Sequence, residues 1–174
     1  MKYRIKGVKK VSGEIEISGS KNASLPILAA CILSGKESKI YNLPDIKDVK
    51  TTLKILELLG CKIVKKNNKT IIDSSNMTKQ EIPDNLMREL RSSVILAGAI
   101  IGRFKKAVFS YPGGCEIGAR PIDLHIENFK KIGINISENA GYIVCSCDKI
   151  KSAEIQLDFP SVGATENLIL ASVY

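Results

Sequence analysis

Cys115 stands apart from the other four cysteines of this 174-residue chain. Cys31, Cys61, Cys145 and Cys147 fall in apolar or alternating stretches, where a thiol is usually a small buried apolar group. Cys115 instead lies in the segment 111–121 (YPGGCEIGARP), among three glycines and close to Arg120. Thiol reactivity depends on exposure and on nearby cations, so the segment predicts a flap that carries a thiol toward bound substrate. Glu116 opposes Arg120: a neighbouring carboxylate raises a thiol's pKa, and a protonated thiol suits a general acid better than a nucleophile. A solvent loop with an incidental cysteine is the alternative. A Walker A loop is excluded, because Ala119 and Arg120 stand where Lys-Ser/Thr is required.

Three other short segments could hold an anion. They are 19–22 (GSKN), 91–93 (RSS) and 161–165 (SVGAT), and each opens an apolar helical run. If those helices stand side by side and parallel, their unpaired first-turn N–H groups and positive dipole ends face the same way, with Lys21 and Arg91 added. The alternative is that Ser20, Ser92 and Ser161 are ordinary N-caps and the two cations are solvated.

The elements that must position these residues repeat along the chain. Residues 24–30 (SLPILAA) are echoed by 92–98 (SSVILAG) and again by 166–172 (ENLILAS). Residues 58–63 (LLGCKI) are echoed by 131–136 (KIGINI), so the second copy carries an expansion between its landmarks, in or beside the Cys115 segment. In the first copy, Leu25, Leu28, Ala29 and Ile32 share one face of a helix that Gly35 ends, and a strand follows at 38–43. A second helix opens at Pro44-Asp45, with Ile46, Val49, Leu53 and Leu56 at helical spacing, and Gly60 stops it. A hairpin of 61–65 and 70–73 turns at Asn67-Asn68. The second copy predicts a helix over 85–101, a strand at 107–110, a helix opened by Pro121 and a hairpin across 138–141. A third copy begins with a helix over 164–174.

The fold class is therefore α/β, built of similar units. Residues 20–174 are expected to form two complete units, about 20–84 and 85–152, plus the start of a third. Residues 1–19, with strand-like patterning at 3–7 and 14–18, are assigned to opening strands of another, mostly absent domain. A repeat cut inside its first helix leaves an apolar face uncovered, so the chain is expected to be a fragment. Should two chains pair, the surface expected to do so is the helix near 168–173.

Composition narrows the function. Charged residues are 25% and apolar residues 44%, which is globular and neither disordered nor fibrous. The longest apolar run, 94–102, is far short of the roughly 20 residues of a membrane span, and the N-terminus lacks a secretory layout, so a cytoplasmic protein is expected. A net charge of +8 suits a phosphorylated ligand. Its scattered lysines and the absence of Trp argue against a nucleic-acid stripe. Five cysteines without a CxxC pair, and a single histidine, exclude a zinc or disulfide framework.

The segments 19–22, 91–93, 113–125 (GGCEIGARPIDLH) and 161–166 resemble the UDP-N-acetylglucosamine 1-carboxyvinyltransferases, the enolpyruvyl transferases that open bacterial peptidoglycan synthesis. The resemblance implies an inside-out α/β barrel of three similar units, here truncated inside the third, and a partner domain that closes over the substrates. It implies phosphoenolpyruvate at Lys21, Asn22 and Arg120. The UDP-sugar falls at Arg91, Arg120, Pro121, Ile122, Asp123 and Leu124, with Ser161, Val162 and Gly163 near its diphosphate. Cys115 becomes the general acid and the site of a covalent adduct with fosfomycin. No metal or cofactor is implied. The rivals are the shikimate-pathway enolpyruvyl transferase, which shares the architecture without the cysteine flap, and a non-catalytic anion-binding or RNA-binding module.

Overall fold

A computed structural model describes residues 2–113 and 122–174. Two units of the same design follow one another. The first comprises α1 (Lys21–Ser34), β1 (Glu37–Tyr41), α2 (Lys47–Leu59), β2 (Lys62–Lys66) and β3 (Lys69–Asp73). The second comprises α3 (Asp84–Glu89), α4 (Val94–Phe104), β4 (Lys106–Ser110), α5 (Asp123–Lys131), β5 (Asn135–Asn139) and β6 (Tyr142–Ser146), and α6 (Val162–Ala171) comes after it. Each unit carries a three-stranded antiparallel sheet with its last strand in the middle, in the orders β1-β3-β2 and β4-β6-β5. The hairpin registers match, Lys66 facing Lys69 and Asn139 facing Tyr142. Ala140 and Gly141, both at positive φ, make the tight turn whose twist suits a hairpin. The segment before α3 covers the outer edge of β4: the Val108 amide donates to the Gln80 carbonyl and the Ile82 amide to the Val108 carbonyl, both at 2.9 Å.

Helices α1, α4 and α6 pack on one another, with α4 in contact with both of the others. Every residue from Val94 to Gly102 is buried, as an all-apolar helix demands. The contacts fix the direction of the three helices. Asn167 of α6 meets Val94 and Gly98 of α4, Leu170 and Ala171 meet Gly102, and Leu33 at the end of α1 meets Gly102 as well. The helices therefore run parallel, with their amino ends on one side, as the repeat requires. Gly98 and Gly102 permit the close approach, since a Cβ on Gly98 would stand 2.2 Å from Asn167 Oδ1 and one on Gly102 would stand 2.6 Å from the Leu170 carbonyl. At the carboxyl ends the Arg103 guanidinium donates to the carbonyls of Ile32 (2.9 Å) and Ser74 (2.8 Å), a cation where the helix dipoles favour one.

Three expectations are corrected. The helix over 85–101 is broken: Leu90 is extended (φ −126°, ψ 110°) and a 3-10 turn, Arg91–Ser93, precedes α4. The buried Ser93 hydroxyl donates toward the Leu90 and Met87 carbonyls, two acceptors that a continuous helix would give to backbone amides. The strands at 3–7 and 14–18 do not form. Residues 2–19 carry no strand, and Ile5, Val11, Ile15 and Ile17 are exposed, because no neighbouring strand offers them a ladder. The last helix stops at Ala171, and the chain folds back so that the Tyr174 hydroxyl donates to the Leu33 carbonyl at 2.6 Å. The described residues hold two sheets and no closed barrel.

Candidate functional site

The helix amino ends are built alike at α1 and α6. Ser20 caps α1, its hydroxyl oxygen accepting from the Ala23 amide at 3.4 Å, and Ser161 caps α6, accepting from the Ala164 amide at 3.2 Å. One turn on, the Ser24 hydroxyl returns to the Ser20 carbonyl and the Thr165 hydroxyl to the Ser161 carbonyl, at 2.7 and 2.8 Å. These two serines are N-caps, and the remaining first-turn amides have no partner within their helices. Ser92 is not a cap, because it lies inside the 3-10 turn that Arg91 opens.

Lys21 and Asn22 open α1 and are exposed. Lys21 is not a free cation, since its Nζ sits 3.1 Å from Asp48 Oδ2 in the first turn of α2, a pairing that no sequence motif announced. A half-exposed pair of this kind is held weakly, on the order of 1 kcal/mol or less, so an arriving anion can compete for the lysine.

Ile122 is buried just before α5, and Asp123 and Leu124 form that helix's first turn. The structure brings this turn beside the first turn of α6. Asn167 of α6 lies 2.9 Å from Nδ1 of His125, and a Cβ on Gly163 would stand 3.9 Å from His125 Nε2. The two segments expected to share one ligand, 122–124 and 161–163, are thus neighbours. Val162 is largely exposed at the mouth of this junction. Burial pushes the His125 pKa below its ordinary value and raises that of Glu166 on α6. The sequence reading gave Asn167 no role and took His125 only as the single histidine and the end of the 113–125 segment. The signal available was an amide set inside the apolar run of 166–172.

Cys115, Arg120 and Pro121 lie outside the described residues. The backbone that leads to them is anchored. Tyr111 donates its hydroxyl to Glu138 Oε1 at 2.7 Å, which raises the phenol's pKa. Gly113 packs so closely on α3 that a Cβ would fall 2.1 Å from the Arg88 carbonyl. Arg88 in turn grips both oxygens of Asp84, its Nε 3.0 and 2.9 Å from them. Cys31, Cys61, Cys145 and Cys147 are free and buried as expected. Burial pushes the Cys61 thiol up to about 11 and the Cys145 thiol up to about 12, which makes them inert. Among the described residues no group of three or more His, Cys, Asp or Glu could hold a metal ion, and no helix is long and apolar enough to cross a membrane.

The family model described as EPSP synthase (3-phosphoshikimate 1-carboxyvinyltransferase) matches residues 5–174. UDP-N-acetylglucosamine 1-carboxyvinyltransferase 2 of Caldanaerobacter subterraneus is 51% identical over 171 residues, which are 98% of this chain and 41% of that protein. The UDP-N-acetylglucosamine 1-carboxyvinyltransferase of Elusimicrobium minutum is 42% identical, with 98% and 40% covered. The chain thus spans about two-fifths of the length of these relatives. Among solved structures, the enolpyruvyl transferase NikO from Streptomyces tendae superposes with a TM-score of 0.77 at 21% identity, covering 95% of this chain and 39% of that one. An EPSP synthase from Acinetobacter baumannii gives 0.67 at 16% identity, covering 91% and 37%.

Proposed function

The chain belongs to the EPSP synthase (3-phosphoshikimate 1-carboxyvinyltransferase) family, and from that premise we propose that it is part of an enzyme that transfers the enolpyruvyl group of phosphoenolpyruvate to the 3-hydroxyl of UDP-N-acetylglucosamine. The observation that carries the choice of acceptor is the 51% identity, over nearly the whole chain, to a relative named for that reaction.

In this reading Cys115 gives its thiol proton to the methylene carbon of phosphoenolpyruvate, which leaves the adjacent carbon electrophilic. The sugar 3-hydroxyl attacks that carbon and loses its proton, giving a tetrahedral phosphate-bearing intermediate. Loss of phosphate from it, with return of a methyl proton to a base, restores the double bond as an enol ether. The chemistry needs an acid near the reacting carbon and cations about the phosphate. Lys21, Asn22 and Arg120 are assigned to phosphoenolpyruvate. Arg91, Arg120, Pro121, Ile122, Asp123, Leu124, Ser161, Val162 and Gly163 are assigned to the sugar nucleotide. The proximity of the α5 and α6 first turns supports a ligand shared between them. The reaction so written uses no cofactor.

The test is the intact mass of the chain after incubation with fosfomycin and UDP-N-acetylglucosamine. One covalent adduct is expected, lost in Cys115→Ser. An adduct that survives that substitution would refute the assignment of Cys115. Competition between UDP-N-acetylglucosamine and shikimate 3-phosphate for binding separates this acceptor from the one in the family description.

A further inference from the structure

Asn167 is an amide in the middle of an apolar helix, fully buried, and each atom of its side chain can be assigned. The Gly98 backbone amide can only donate, so the atom 2.8 Å from it is Oδ1. Nδ2 then faces the Val94 carbonyl at 3.1 Å and His125 Nδ1 at 2.9 Å. An amide nitrogen offers two hydrogens and no lone pair, so both are used, and His125 Nδ1 must be the acceptor of one. The ring proton therefore sits on Nε2, the nitrogen on the Gly163 side. Val94 and Gly98 are also the carbonyl and amide that one helical step would join to each other. By spanning both, Asn167 sets the register of α6 on α4, and His125 carries that register on to α5.

We propose that Asn167 is a positioning residue of the sugar-nucleotide site: by holding His125 with its proton on Nε2, it fixes the first turn of α5 (Asp123, Leu124) against the first turn of α6 (Val162, Gly163). This inference rests on the reading of those two turns given above. The surroundings suit a neutral ring. The α4 face is apolar from Val94 to Gly102, and Asp123 and Glu127 on α5 and Glu166 on α6 are the carboxylates of the adjoining elements. Burial is the cause of the ring's lowered pKa.

His125 is the only histidine in the chain, so its two ring nitrogens can be read directly from a long-range 1H–15N correlation of the labelled protein at pH 7.5. The bare nitrogen is expected to be the one strongly coupled to Hε1 alone, which is Nδ1. A proton on Nδ1, or on both nitrogens, would overturn the proposal, and this readout needs no variant. Asn167→Asp keeps an acceptor for Gly98 and loses both donors. It is expected to move the ring proton to Nδ1, raise the pH at which His125 titrates, and weaken UDP-N-acetylglucosamine binding by calorimetry about tenfold, or ~1.4 kcal/mol. A variant that binds as tightly as the parent chain overturns the positioning role. If the parent shows the expected tautomer but binds no UDP-N-acetylglucosamine, the sugar-nucleotide reading fails and the role falls with it. The wrong tautomer with intact binding defeats the positioning role alone.

Discussion

His125 and Glu166 lie on neighbouring helices, are both desolvated, and load stability in opposite directions with pH. The His125 pKa is lowered from 6.5 by burial, so the unfolded chain takes up its proton first. Its contribution is whole above the ordinary imidazole value and is lost as pH falls through that value toward the folded one. The Glu166 pKa is raised from 4.5 by burial, so its contribution is whole below the ordinary carboxylate value and is lost as pH rises through the folded one. Urea midpoints between pH 4 and 8 are expected to rise less steeply above pH 5 in His125→Gln than in the parent chain. In Glu166→Gln the loss of stability with rising pH near the carboxylate range should disappear. Equal slopes in parent and both variants would show that neither group is desolvated. At this scale the sequence was legible where type and spacing alone decide a role. Four cysteines are inert, whereas spacing left Ser20, Ser92 and Ser161 open between caps and an anion site, and of these Ser20 and Ser161 are caps. It was silent on Asp48 beside Lys21 and on Asn167 beside His125, because both contacts join helices far apart in the chain and nothing local marks them.

At the scale of elements, periodicity and stop signals carried most of the fold. Gly35 and Gly60, both at positive φ, end α1 and α2 where expected, the strands of the first hairpin fall within a residue of their predicted places, and the second hairpin turns inside the expected 138–141. The break at Leu90 was not legible, since nothing local announces that the Ser93 hydroxyl turns back to the Met87 and Leu90 carbonyls. Parallel packing of the three helices was inferred from the repeat, but its closeness rests on two glycines whose neighbours only the fold reveals. Gly98→Ala forces a methyl into the Asn167 amide and is expected to cost about 1–3 kcal/mol or more, read as a lower thermal midpoint. Arg103→Met keeps an unbranched apolar stem and removes two charge-assisted bonds to the Ile32 and Ser74 carbonyls. Its expected cost is about 1.5–3 kcal/mol per bond if the carbonyls are left dry, and less where water replaces the guanidinium. A thermal midpoint unchanged in Arg103→Met would mean the guanidinium only decorates the helix ends.

For the molecule as a whole, α4 is the structural centre and α6 its cover. Helix α4 meets both α1 and α6: Gly98 faces α6, Gly102 lies where α1 and α6 both reach it, and α6 leaves Val162 and Ile169 mostly exposed. Removing residues 160–174 would therefore uncover the Gly98–Gly102 face and leave the Val94 carbonyl and Gly98 amide without the Asn167 side chain. The shortened chain is expected to lose its cooperative thermal transition and bind a hydrophobic dye, whereas removing the exposed residues 2–12 should leave the transition in place. If the two truncations melt alike, α6 is not the cover that its contacts suggest. Activity belongs to the same scale. The chain spans about two-fifths of the relatives it matches. If the substrates bind between two domains that close on each other, one domain supplies binding segments without the closure that excludes water and completes the site. The 174-residue chain alone is therefore expected to release phosphate from phosphoenolpyruvate and UDP-N-acetylglucosamine at a negligible rate, while a full-length relative assayed beside it turns over. Phosphate release from this chain at the relative's rate would show that these residues hold the whole catalytic apparatus.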